Sequence, residues 1–141
     1  MVYTIYEPLQ ASIQDIQATS KDDITEIDLA IIGKEVLQGL HYIHHELGVV
    51  YGQLDTQNIL LSYINCSIKL ANIAAAILKP QQGDYAKDIA ALGRVLISMK
   101  EPGTIARKPN TLQFEEPEDF SQLCIDFIQH TGTSSVSTLQ Y

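Results

Sequence analysis

Apolar residues between positions 29 and 47 recur in steps of three and four: Leu29, Ile32, Val36, Leu40, Ile43 and Leu47. That spacing lines one face of a 3.6-residue helix and predicts a helix over Thr25–Leu47. Thr25 and Asp28 form a short version of a capping box at its start, and Gly48 stands where a left-handed cap belongs. A second stripe, Ile89, Leu92, Leu96 and Met99, predicts a helix from Lys87 that Pro102 and Gly103 end. Ala90, Ala91 and Gly93 within it leave room for a neighbouring backbone. Phe120, Leu123, Cys124, Phe127 and Ile128 predict the buried side of a third helix, opened by Pro117 with Glu118 and Asp119 in its first turn. Ile59–Ser62 and Ile68–Asn72 are short apolar runs that read as strands about a turn at Asn65-Cys66-Ser67. The β-formers Val2 to Tyr6 predict a further strand, stopped by Pro8. A short helix over Ser12–Ala18, a polar linker at Ser20–Asp23, an irregular stretch over Glu101–Pro117 and a final helix from Ser134 complete the chain. The fold class is mostly α with a minor β component.

Composition narrows the function classes. Hydrophobic content of 45% over 141 residues can bury a moderate core. The net charge of −8 disfavours nucleic acid and anionic membranes as partners. No apolar run is long enough to span a bilayer, and no basic-then-apolar leader opens the chain. Cys66 and Cys124 lack metal-site spacing and read as free thiols of an intracellular, by default cytoplasmic, protein. His41 and His45 are four apart on a helix but have no third ligand in view, so no metal is expected. The acidic run at residues 115–119 reads as a solvated helix start, and the Ser and Thr residues at 131–138 as local caps.

The stretch Val49 to Leu61 carries the sharpest pattern. Val-Val-Tyr-Gly-Gln-Leu-Asp-Thr-Gln-Asn-Ile-Leu-Leu resembles the catalytic loop of protein kinases, His-Arg-Asp-x-Lys-x-x-Asn followed by an apolar strand. Tyr51, Gly52, Gln53 and Asp55 stand at the His, Arg, Asp and Lys positions, and Asn58 is retained. Lys69-Leu70-Ala71-Asn72-Ile73-Ala74 resembles the K-L-A-D-F-G segment, with Asn72 for the metal-binding Asp. Lys34 to His44 resembles the long helix before the catalytic loop, and Lys87 to Leu96 the central helix of the lobe. The chain also resembles degenerate fungal kinase-like proteins, in which H-G-x-L-D-x-x-N-I-L-L and K-I-A-N-I recur.

The resemblance implies a single kinase-like C-lobe over residues 1–141, with a hinge at 1–10, a helical lobe at 11–141, a short β-hairpin around the catalytic loop and no N-lobe. It implies a vestigial nucleotide cleft at Glu7, Leu9, Asn58, Leu60 and Asn72, with Val95 and Met99 beneath Leu60. Asp88 matches the anchoring Asp that holds the catalytic-loop backbone, while Tyr51 and Ile73 take two positions of an internal apolar spine.

The chemistry of those replacements opposes phosphoryl transfer, which is positioning plus charge neutralisation. Gln53 is a neutral amide and no general base. Asn72 offers magnesium a carbonyl oxygen without charge. Asp55 places a negative charge where transferred phosphate needs a cation. The expectation is an inactive pseudokinase domain with no cofactor, weak or no ATP binding, and a protein partner or self-association as its business. The alternative is part of a longer kinase-domain protein that retains weak ATP binding. Catalysis by relocated groups would need substitutes for both acids and the upstream lysine.

Overall fold

The computed structural model of the chain describes residues 10–19, 25–62, 67–78 and 85–132. The strand expected at Val2–Tyr6, the linker at Ser20–Asp23, Cys66 and the helix from Ser134 lie outside them. The described residues are mostly helical, with one small antiparallel sheet.

Strand β1 (Gln10–Ser12) runs straight into helix α1 (Ile13–Thr19). Ser12 marks the join. Its hydroxyl accepts from the Asp15 N–H at 3.1 Å, and the Asp15 carboxylate accepts from the Ser12 N–H at 3.3 Å. Both are donors that a helix start leaves unpaired. Gln17 ties α1 to the rest of the molecule by donating to the Ser98 carbonyl at 3.1 Å.

Helix α2 (Glu26–His41) begins where the sequence predicts. Thr25 caps it, with the reciprocal Thr25–Asp28 bonds of a capping box. Its expected stripe faces inward: Leu29, Val36, Leu40 and Ile43 are all buried, while Ile32 and Leu47 pack at the margin. The last turn widens into a π-helical segment, Tyr42–Glu46, in which the Leu47 N–H reaches back to the Tyr42 carbonyl at 3.2 Å. Such turns are rare and concentrate at special positions; this one buries both Ile43 and His44. Gly48 follows at φ +68°, the left-handed conformation expected of a helix stop.

Strands β2 (Ile59–Ser62) and β3 (Ile68–Leu70) pair antiparallel, with Ile59 opposite Leu70 and Leu61 opposite Ile68. The two expected strands therefore pair, with residues 63–66 between them outside the described residues, and β1 adds a third strand on the far side of β2, with Ser12 opposite Leu60. Helix α3 (Ile73–Leu78) follows at once. The strand expected to reach Asn72 stops short because Asn72 adopts φ 61°, which no ladder accommodates.

Helix α4 (Ala86–Lys100) is the centre of the molecule: Ile89, Leu92, Leu96 and Ile97 are sealed from solvent. It packs against α2, against α5 (Pro102–Arg107) and against α6 (Gln122–His130). Two expectations are corrected here. Pro102 does not simply stop a helix. Its fixed φ and missing N–H suit the first position of a new one, so α5 begins within the stretch expected to be irregular. Pro117–Asp119 is a separate 3₁₀ turn, after which Phe120 is extended. Helix α6 starts later, capped by the Ser121 hydroxyl, which accepts from the Cys124 N–H at 3.2 Å. This shifts its buried face to Ile128, and Leu123, expected inside, is 84% exposed.

Candidate functional site

Val49–Asn58 links the π-helical turn to β2, and its path is set by one carboxylate. Asp88, in the first turn of α4, is buried. Its Oδ2 accepts from the Tyr51 N–H at 2.8 Å, and its Oδ1 from the Gly52 N–H at 2.8 Å. The third partner is His44 Nε2, 2.7 Å from Oδ2. A carboxylate only accepts, so in this contact Nε2 carries the proton. The His44 ring is held on its other side by stacking on Tyr85, centroids 4.3 Å apart. The site thus draws on the π-helical turn, the loop and α4. Gly52 turns beside Asp88 at φ +73°, where a side chain would be strained.

Tyr51 is sealed from solvent, and its hydroxyl donates to the Ala71 carbonyl. This bond joins the loop to the end of β3. Burial, then the nearby charges of Asp55 and Asp88, push the phenol above the ordinary tyrosine range. It is a neutral donor here.

The next residues form a chain of amides. The Asn58 Nδ2 donates to the Gln53 carbonyl at 2.8 Å. The Asn58 Oδ1 accepts from the Asn72 Nδ2 at 2.8 Å. Beneath them the Asn58 carbonyl accepts from the Ala71 N–H at 2.8 Å, extending the β2–β3 ladder by one step. Asn72 tolerates its left-handed backbone as few other residues do. Asp55, the only acid between Val49 and Leu61, is occupied locally: its Oδ1 accepts from the N–H groups of Gln57 and Asn58 at 2.9 and 3.0 Å. This is an Asx turn that shapes the loop.

The structure therefore brings Tyr51, Gly52, Gln53, Asp55, Asn58, Asn72 and Asp88 into one connected network. Leu60 lies two residues further along β2, half-buried, opposite Ser12 and Lys69. Val95 and Met99 are buried and Ile73 packs at the core margin. Glu7 and Leu9, the two hinge residues of the expected cleft, lie outside the described residues. His41 and His45 pack ring to ring, centroids 4.5 Å apart. Among the described residues no group of three or more His, Cys, Asp or Glu side chains is gathered as a metal site, and no helix is long and apolar enough to cross a membrane.

Chemically, the network can donate and accept hydrogen bonds. Of its two carboxylates, buried Asp88 spends both oxygens on loop backbone and His44, while exposed Asp55 spends Oδ1 on the N–H groups of Gln57 and Asn58.

One feature escaped the sequence reading. Between α2 and α6 runs a groove of 410 Å³, floored by Leu29, Leu96 and Ile128 and walled by Ile27, Leu123 and Phe127. Its signal in the sequence is a second apolar row, Ile27 and Ala30, off the buried stripe of α2. No protein-family model matches this chain, and no curated protein matches it.

Proposed function

We propose that the chain is a degenerate protein-kinase C-lobe that works as a non-catalytic binding or regulatory module. One observation carries the reading: at the positions that resemble the catalytic and metal-binding acids stand amides, Gln53 and Asn72, and the Asn72 Nδ2 donates to the Asn58 Oδ1 at 2.8 Å. A phosphoryl-transfer site needs carboxylates there to orient the hydroxyl and hold magnesium. The scaffold that would present such groups is nonetheless kept. Asp88, at the position that resembles the family's loop anchor, holds the backbone of Tyr51 and Gly52. A loop anchored by Asp88, with amides where the resemblance expects the catalytic and metal-binding acids, suits a domain used for its surface.

The test is a thermal-unfolding titration with ATP, with and without magnesium, together with light scattering for size. Ligands that bind the native state raise its midpoint by mass action. The expected result is no nucleotide shift. A magnesium-dependent shift at micromolar ATP overturns the reading.

A further inference from the structure

We infer that the groove between α2 and α6 is a docking site for a third helix, apolar on one face and basic on its flanks, supplied by a partner protein. The walls of the groove are ridges at helical spacing. Ile27 and Ala30 of α2 lie three residues apart, and Leu123 and Phe127 of α6 four. Ile27 and Leu123 are 72 and 84% exposed. Exposed apolar side chains gathered about one groove mark an interaction site. Both walls and the floor are helices, so the groove offers no strand edge. An extended peptide laid there would find no ladder to join, whereas a helix brings its own satisfied backbone and packs ridge into groove.

Charge selects the class of helix. Among the described residues the groove lining contains no Lys, Arg or His, and its one charged residue is Glu26. Glu26 sits at the end where it accepts from the Ser121 hydroxyl at 2.8 Å. Its field reaches the lining: burial first, and then Glu26, raise the Cys124 thiol to about 11. The whole chain adds 17 acids against 9 bases. Electrostatic complementarity therefore favours Lys and Arg flanks and opposes a second copy of this acidic chain.

The inference rests on the binding-module reading only in supposing that a partner exists. The experiment is a fluorescence-anisotropy titration of the intact chain with three designed peptides. One is a helix with leucines on one face and lysines on the other. The second carries glutamates in place of the lysines, and the third keeps the lysines and leucines but is broken by prolines. The first peptide is expected to bind, and the other two to bind far more weakly. Leu123→Ser and Ile27→Ser each weaken binding about tenfold, as losing a buried apolar side chain should; Leu78→Ser, at a residue 79% exposed elsewhere, does not. Equal binding of the glutamate or proline peptide overturns the inference, as does equal loss with Leu78→Ser. Self-association abolished by Leu123→Ser overturns it too, by assigning the groove to a second copy. A nucleotide shift alongside selective peptide binding removes the inactive-module reading and leaves the groove. No shift and no peptide binding does the reverse.

Discussion

His44 and Asp88 meet 2.7 Å apart in the interior, joining the π-helical end of α2 to the start of α4. The same carboxylate holds the N–H groups of Tyr51 and Gly52. Removing it strands three donors at once, two of them, the Tyr51 N–H and His44 Nε2, buried. Asp88→Ala should therefore lower unfolding free energy by about 3–5 kcal/mol, the range for breaking a buried charged pair. His44→Ala should cost less, since Asp88 keeps its two backbone donors. Urea denaturation of both variants measures the order. Equal losses would show that the loop contacts add little beyond the pair.

Tyr51 predicts a pH dependence. Its proton is held more tightly in the folded state than in the unfolded one, whose tyrosines titrate near the ordinary value of 10. The stabilisation is thus fully present below about pH 10 and is lost as pH rises from there toward the raised folded value. Above pH 10 the slope approaches about 1.4 kcal/mol per pH unit for this one group. Tyr51→Phe should lose about 1 kcal/mol near neutrality, with the hydrogen bond to Ala71. Its stability should then fall less steeply than the parent's in alkali. Parallel curves for the two proteins between pH 9 and 11 would refute this origin.

Gly93 predicts a packing limit. A Cβ there would run into the Thr131 hydroxyl, come within 2.8 Å of Leu112 Cδ2 and lie 3.3 Å from the Ile128 carbonyl. Thr131 is fixed in place because its hydroxyl donates to that carbonyl. Gly93→Ala should cost about 1–3 kcal/mol through overpacking of α4 against α6. Gly48→Ala meets open space and should cost about 1 kcal/mol through its left-handed backbone alone. Only Gly93→Ala should be relieved by trimming its nearest neighbour with Thr131→Ala. Failure of that rescue in a double-mutant cycle would count against the packing account.

What could be read from the sequence was local or repetitive. The Thr25–Asp28 cap, the stop at Gly48 and the stripes of α2 and α4 follow from spacing alone. The role of Asp88 could be read only through resemblance, because its partners lie 36 to 44 residues away. Periodicity carries no information about such separations. The Asn58–Asn72 bond is of the same kind. The misplacement of Leu123 has another cause. A helix of nine residues has several apolar positions, and docking on α4 decides which of them face inward. The start of α5 at Pro102 depended on a choice between two roles of proline, stop or first position, that composition does not make.

Cys124 gives a chemical readout of the groove. Burial, and then the Glu26 carboxylate, raise its thiol from 9.0 to about 11. Two units cut the thiolate fraction near pH 8 by about a hundredfold, while the more basic thiolate recovers part of that through greater nucleophilicity. In a Cys66→Ser background, Cys124 should therefore react with iodoacetamide about tenfold more slowly than a free thiol. Glu26→Gln should speed the reaction by removing the nearby charge, and a bound leucine–lysine helix should slow it further by covering the thiol. Mass spectrometry of the alkylated chain over time measures all three rates. A rate matching that of free cysteine would mean that the lining of the groove is open to water, and the apolar docking site would lose its physical basis.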